Sequence, residues 1–156
     1  MPSNASTILR LKTQLDIVPS LVSSVGSHAI LQRPASGKWS AQENLAHLAR
    51  YHEVFIQRVK RILSENAPKL RRYLAEEDPE WPQWASKSLD ELLKRLPVLR
   101  GDLVRLVETL NDDQLNRLGV HPILGSLPLR LWLEFFLFHE GHHLYLIMSL
   151  LPGKSS

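Results

Sequence analysis

At 156 residues, with 44% apolar and 22% charged side chains, the chain has the size and composition of one globular domain around a single core. The net charge of +3 is small and the basic pairs Lys60-Arg61 and Arg71-Arg72 stand apart, so no basic face for nucleic acid is expected. Cysteine is absent, which excludes disulfides, thiolate metal ligands and a cysteine nucleophile: a metal site must use His, Asp or Glu, and any reactive thiol must arrive with a substrate.

The opening residues from Met1 to Thr7 have no basic stretch followed by an apolar one, so no secretory signal is read and a cytoplasmic protein is expected. From about Thr7 to His28 the apolar residues Ile8, Leu11, Leu15, Val18, Leu21 or Val22, and Val25 recur three or four apart, which predicts a helix. Pro19 should kink or split it. After a loop rich in Pro, Gly and Ser, Ser40-Ala41-Gln42-Glu43 has the form of a capping box and opens a second helix. Its buried stripe is Leu45, Leu48, His52, Phe55, Val59 and Ile62, with His47, Tyr51 and Val54 one step to the side.

The connection from Ser64 to Lys87 is long, charged and carries Trp81-Pro82-Gln83-Trp84. Its length in a compact domain makes it a candidate lid. Ser88-Leu89-Asp90-Glu91 repeats the capping-box form before a leucine-spaced third helix that Pro97 should bend. Ser126 before Leu127-Pro128 reads as the cap of a fourth helix ending at Pro152-Gly153, apolar nearly all round and therefore central. Leu127 to Leu151 is long enough to span a bilayer, but Arg130, Glu134 and the cluster from His139 to His143 argue against it. No internal repeat and no strand-like alternation is read, so an all-α, antiparallel four-helix bundle over residues 1–156 as one domain is expected. The tryptophans Trp81, Trp84 and Trp132, counted as apolar surface beyond the needs of one core, suggest a homodimer.

His139 and His143 lie one turn apart on one side of the fourth helix, where two imidazoles can reach a single ion. Buried unpaired imidazoles would cost about 1 to 3 kcal/mol each, and a metal ion is the simplest partner. The alternative is two core histidines bonded to backbone or water. His139-Glu140-Gly141-His142-His143 also matches the His-Glu-x-x-His pattern of zinc proteases, but a small helical chain lacks the rest of that apparatus. Glu140 is a weak candidate base, with a neighbouring arginine as the alternative partner. Periodicity leaves the third ligand open among His28, His47, His52 and His121.

Trp39-Ser40 with Glu43 and His47-Leu48, then His121-Pro122 with Gly125 and Leu127, then Phe138-His139-Glu140 with His142-His143, resemble the DinB-like superfamily of four-helix-bundle metalloproteins across essentially the whole chain. The resemblance implies a divalent metal held by His47, His139 and His143, with an open position for water or substrate. His142 and Tyr51 are expected beside the ligands and His121 at the pocket mouth; His52 is read as core or boundary and His28 as surface. Zn²⁺ and Ni²⁺ both suit imidazole. Characterised relatives include transferases and isomerases that use a low-molecular-weight thiol, which implies a small-molecule substrate and thiol-dependent chemistry; a metal-dependent hydrolase and a non-catalytic metal-binding stress protein are the competing readings.

Overall fold

The computed structural model describes residues 4–150. The predicted first helix is split as Pro19 requires: α1 (Asn4–Thr13) passes through a 3-10 turn (Gln14–Ile17) into α2 (Val18–Val25), with the proline in the first turn of α2, where its missing N–H leaves no bond unmade. The second helix, α3 (Ala41–Ser64), begins at the expected capping box, with Glu43 N donating to Ser40 Oγ (3.1 Å) and Ser40 N donating to the Glu43 carboxylate (2.8 Å). A short α4 (Trp81–Ala85) interrupts the connection that follows. Ser88 and Glu91 cap α5 (Leu89–Val107) in the same reciprocal way, and that helix runs through Pro97 unbroken. One turn, α6 (Asp112–Leu115), then leads to β1 (Leu118–His121) and β2 (Gly125–Pro128) and to the last helix, α7 (Leu129–Ser149).

The hairpin corrects two expectations. Residues Ser126 to Pro128 belong to β2, antiparallel to β1, and Pro128 itself caps α7. Gly125 completes the turn at φ 74°, a conformation that suits glycine. The second glycine, Gly119, lies so close under Ile62 and Trp132 that a Cβ there would come within 2.9 Å of both. The predicted end of the last helix at Pro152-Gly153 lies outside the described residues.

α3 packs against α5 and α7, and α1 packs against the same two helices, giving the cyclic order α1, α5, α3, α7. The bundle forms, but only two of its neighbouring pairs run antiparallel. Along α3 and α7, Asn44 meets His143, Tyr51 meets Phe136, and Arg58 lies over Trp132, so these helices oppose each other. Along α3 and α5, Gln42 reaches the Lys87 carbonyl and Arg100 reaches His52, so these run in the same direction. Thr7 and Gln14 of α1 meet Glu134 and Glu140 in turn, which makes α1 and α7 parallel as well. The reason is the 65–88 connection: it carries the chain back along the length of the bundle before α5 begins.

Two apolar clusters fill the bundle. One holds Phe55, Val59, Leu103, Val107, Trp132 and Phe136; the other holds Leu45, Leu48, Leu92, Leu96, Leu144 and Ile147. Between them sits a buried polar layer in which Arg100 donates to Leu11 O (2.6 Å), to His52 Nε2 (3.1 Å) and to the Glu140 carboxylate. One guanidinium thus ties all four long helical segments together. Trp132 and Trp84 are buried and Trp81 packs against Trp39, ring centroids 4.9 Å apart, so these tryptophans serve the interior rather than a dimer face. Nor is α7 central all round, because Phe138 and Tyr145 are 71% and 61% exposed. Among the described residues no helix is long and apolar enough to cross a membrane.

Candidate metal centre

The antiparallel contact of α3 with α7 brings three imidazoles to one point. His47, His139 and His143 each offer a ring nitrogen, and the three atoms lie within 4.8 Å of one another. His47 Nε2 and His139 Nε2 are 3.0 Å apart. Two nitrogens bound about 2.0 to 2.1 Å from one ion would stand about 2.9 to 3.4 Å apart, so that pair already has the spacing of co-ligands.

Asn44, one turn before His47, settles the third ring. Its Nδ2 donates to Ser40 O (2.9 Å), which turns Oδ1 toward His143 Nδ1 at 2.8 Å. An amide oxygen can only accept, so the His143 proton sits on Nδ1 and Nε2 keeps its lone pair. His47 and His139 lack such a brace: their Nδ1 atoms are buried with no hydrogen-bond partner among the described residues. Ring packing orients them instead. His47 lies against Trp39 at 4.9 Å and stacks on Tyr73 at 5.7 Å, and His139 sits 4.2 Å from the Tyr51 ring, centroid to centroid.

Burial, with the neighbouring imidazoles adding to it, holds all three rings neutral: the pKa falls to about 3 at His47, about 2 at His139 and about 4 at His143. Three neutral imidazoles crowded together present more lone pairs than the one proton His47 and His139 can share between them. A cation satisfies every one of them. The donor set therefore fits a divalent metal.

A cavity of about 480 Å³ opens on this cluster, within the range of small-molecule sites. Tyr51, His121 and Phe135 line it from the bundle and the hairpin, and the 65–88 connection closes it with Tyr73, Leu74 and Glu76. The segment expected as a lid is thus the cavity's wall, built as a 3-10 turn (Ala75–Glu77) and α4 and anchored by Leu70 N donating to Val120 O (3.0 Å). Tyr51 packs on the His139 ring, and His121 lines the cavity from the end of β1.

His142 stands beside a ligand, its ring 5.3 Å from that of His143, but it is exposed and lines a neighbouring cavity of about 810 Å³ on the other side of Trp39. Glu140 faces away from the cluster, fully buried against Arg100 and Gln14 (2.8 Å), 3.8 Å from His52. His52 is core, with Nδ1 on Leu48 O at 2.7 Å, and His28 is exposed. Asn44 and Arg58, both on the inner face of α3, were missed. Asn44 carried one signal, its three-residue spacing from His47.

Comparison with known proteins agrees with this architecture. A provisionally named metal-dependent hydrolase of Oceanobacillus iheyensis is 26% identical over 121 residues, covering 76% of this chain and 69% of that protein. YfiT of Bacillus subtilis, provisionally named in the same way, is 30% identical over 118 residues, covering 73% of this chain and 65% of YfiT. The solved structure of YfiT, described as an unusual four-helix bundle, superposes with a TM-score of 0.80 at 24% identity over 96% of this chain and 88% of that one. A DinB-like protein of the same organism, YjoA, superposes with a TM-score of 0.62 at 16% identity, covering 92% and 87%. The sequence profile of the DinB superfamily matches residues 10–147, and the chain belongs to that superfamily.

Proposed function

We propose that His47, His139 and His143 bind one divalent metal ion, Zn²⁺ or Ni²⁺, and that the adjoining cavity is the reaction site of a small-molecule enzyme. The observation that carries this is the convergence of three neutral imidazoles, one of them with its lone pair fixed by Asn44. The ion supplies Lewis acidity, lowering the pKa of a nucleophile that reaches its open position. The chain's own contribution is to hold that position beside a half-enclosed aromatic wall of Trp39, Tyr51 and Tyr73, which limits access of bulk water.

The nucleophile is read as a low-molecular-weight thiol transferred to an electrophile. Glu140 is engaged with Arg100, and among the described residues Glu76 is the one carboxylate lining the cavity. A thiol, with a pKa near 8.5, needs less help from a carboxylate base than water does, and the chain has no cysteine to supply one. Hydrolysis of a small substrate is the second reading, favoured by the names given to relatives. A homodimer through the exposed Phe138 and Tyr145 of α7 accompanies this proposal, and light scattering at the monomer mass of 17.9 kDa would remove it.

The test is metal analysis of protein purified without a nickel column, beside His47→Ala and His28→Ala. About one equivalent in the parent and in His28→Ala, with loss in His47→Ala, is expected. Full occupancy in His47→Ala would overturn the ligand set. A panel of thiols and electrophiles then separates thiol transfer from hydrolysis.

A further inference from the structure

Arg58 follows His47 by eleven residues, close to three full turns, so His47, Tyr51 and Arg58 line one face of α3 and the same cavity. Its guanidinium leans back along the helix: Nη1 donates to the Tyr51 hydroxyl (2.9 Å) and Nη2 to Arg71 O (2.6 Å). Tyr51 in turn packs on His139, so the cation stands one aromatic ring away from the three-imidazole cluster.

Arg58 is only 8% exposed, and among the described residues no carboxylate forms an ion pair with it. A buried charge without a counterion is costly; the Tyr51 and Trp132 rings, 5.6 and 5.8 Å from the guanidinium, offset part of that cost, and a bound anion would offset more. A second arginine, Arg72, lines the cavity from the 65–88 connection, exposed and likewise without an ion pair among the described residues. Among the described residues Glu76 is the only acid in the lining, and it forms an ion pair with neither arginine.

His121 completes the arrangement. Its Nδ1 accepts from the amides of Ile123 (3.1 Å) and Leu124 (3.0 Å), so the ring proton is on Nε2 and the ring offers a donor. Burial and the charges of Arg58 and Arg72 keep this ring neutral. Two cations and a neutral donor around a cavity of about 480 Å³ form a recognition surface for an oxyanion, which a planar guanidinium meets with two parallel hydrogen bonds.

We infer that the cavity takes a small molecule bearing a carboxylate or phosphate, its oxyanion held by Arg58 and Arg72 and its reactive end directed to the three imidazoles. The placing of the reactive end rests on the proposed metal site; the anion selectivity does not.

The test is equilibrium binding followed by tryptophan fluorescence, since Trp39 lines the cavity, with metal-free protein so that anions cannot ligate an ion. Succinate, inorganic phosphate and the uncharged succinamide are the probes. Succinate or phosphate should bind at least about tenfold more tightly than succinamide, and the tighter of the two identifies the oxyanion. Arg72→Ala, an exposed change that leaves the core intact, should weaken that binding by about threefold to tenfold. Arg58→Lys should weaken it too, because a point charge replaces the planar fork. Equal binding of succinamide, or affinity unchanged in both variants, would overturn the inference. Metal content measured on the same variants keeps the two readings apart. If His47→Ala retains metal while anion selectivity persists, the metal site falls and the anion site stands, and loss of selectivity with metal binding intact is the converse.

Discussion

Replacing Glu140 by Gln removes one charge from the polar layer and keeps its shape. Arg100, 5% exposed, would be left buried with neutral acceptors alone: Leu11 O, the His52 ring and the amide oxygen of the new side chain. Breaking a buried pair from one side costs about 3 to 5 kcal/mol, because the remaining charge is desolvated without compensation. For a domain of this length each kcal/mol moves the melting temperature by about 2 to 4 °C, so Glu140→Gln should melt about 6 to 20 °C lower. Circular dichroism melts of the parent, Glu140→Gln, Arg100→Met and the double variant Arg100→Met/Glu140→Gln measure it. The double variant should lose less than the two single changes summed, since it leaves no lone charge behind. Metal content of the folded protein should be unchanged throughout, because Glu140 lies outside the imidazole cluster. A melting temperature within about 2 °C of the parent in Glu140→Gln would refute this account of the layer.

Asn44→Leu should weaken metal binding by about 10- to 100-fold while leaving the three imidazoles in place, a loss that competition with a chelator would read and that unchanged affinity would contradict. Acid stability follows from the imidazoles. His47, His52, His139 and His143 are held neutral, at about 3, 3, 2 and 4, against an ordinary value of 6.5 in the unfolded chain. Below pH 6.5 the unfolded chain therefore takes up protons that the folded chain refuses. Their contribution is complete above about pH 6.5 and declines toward pH 4. Urea midpoints of metal-free protein should fall steadily between pH 7 and pH 5, above the range in which the paired carboxylates titrate; equal midpoints at both ends would show that these rings are not desolvated as described.

Local signals carried most of the fold. The two capping boxes and the leucine spacing of α5 are decided within one turn of chain, and the structure has them at the predicted residues. Pro19 split its helix for the same reason, whereas Pro97 did not end α5, because packing against α3 outweighed one missing bond. The hairpin was illegible because each strand has four residues and one of them exposes Leu118 while burying Gly119, too short and irregular for an alternation. Helix direction is set by where a connection ends, so no periodicity within α3 or α5 reveals that they run in parallel.

In the site, the four-residue spacing of His139 and His143 was readable, while the choice of His47 came from resemblance. Glu140 carried the appearance of a base from its neighbours in sequence, and its actual partners, Gln14 and Arg100, are 126 and 40 residues away. Arg58 carried no signal in the sequence. Only its tertiary surroundings bury it.

The path of the chain between α3 and α5 divides responsibility within the molecule. The imidazoles and Asn44 stand on long helices that also build the core, so substitutions around them disturb stability. Arg72, Tyr73, Leu74 and Glu76 belong to a strap laid across the bundle that has little core of its own to maintain. That strap can gain, lose or exchange side chains over the cavity without repacking a helix, so descendants of one chemical centre can acquire different ligands by changes in a single short stretch of sequence.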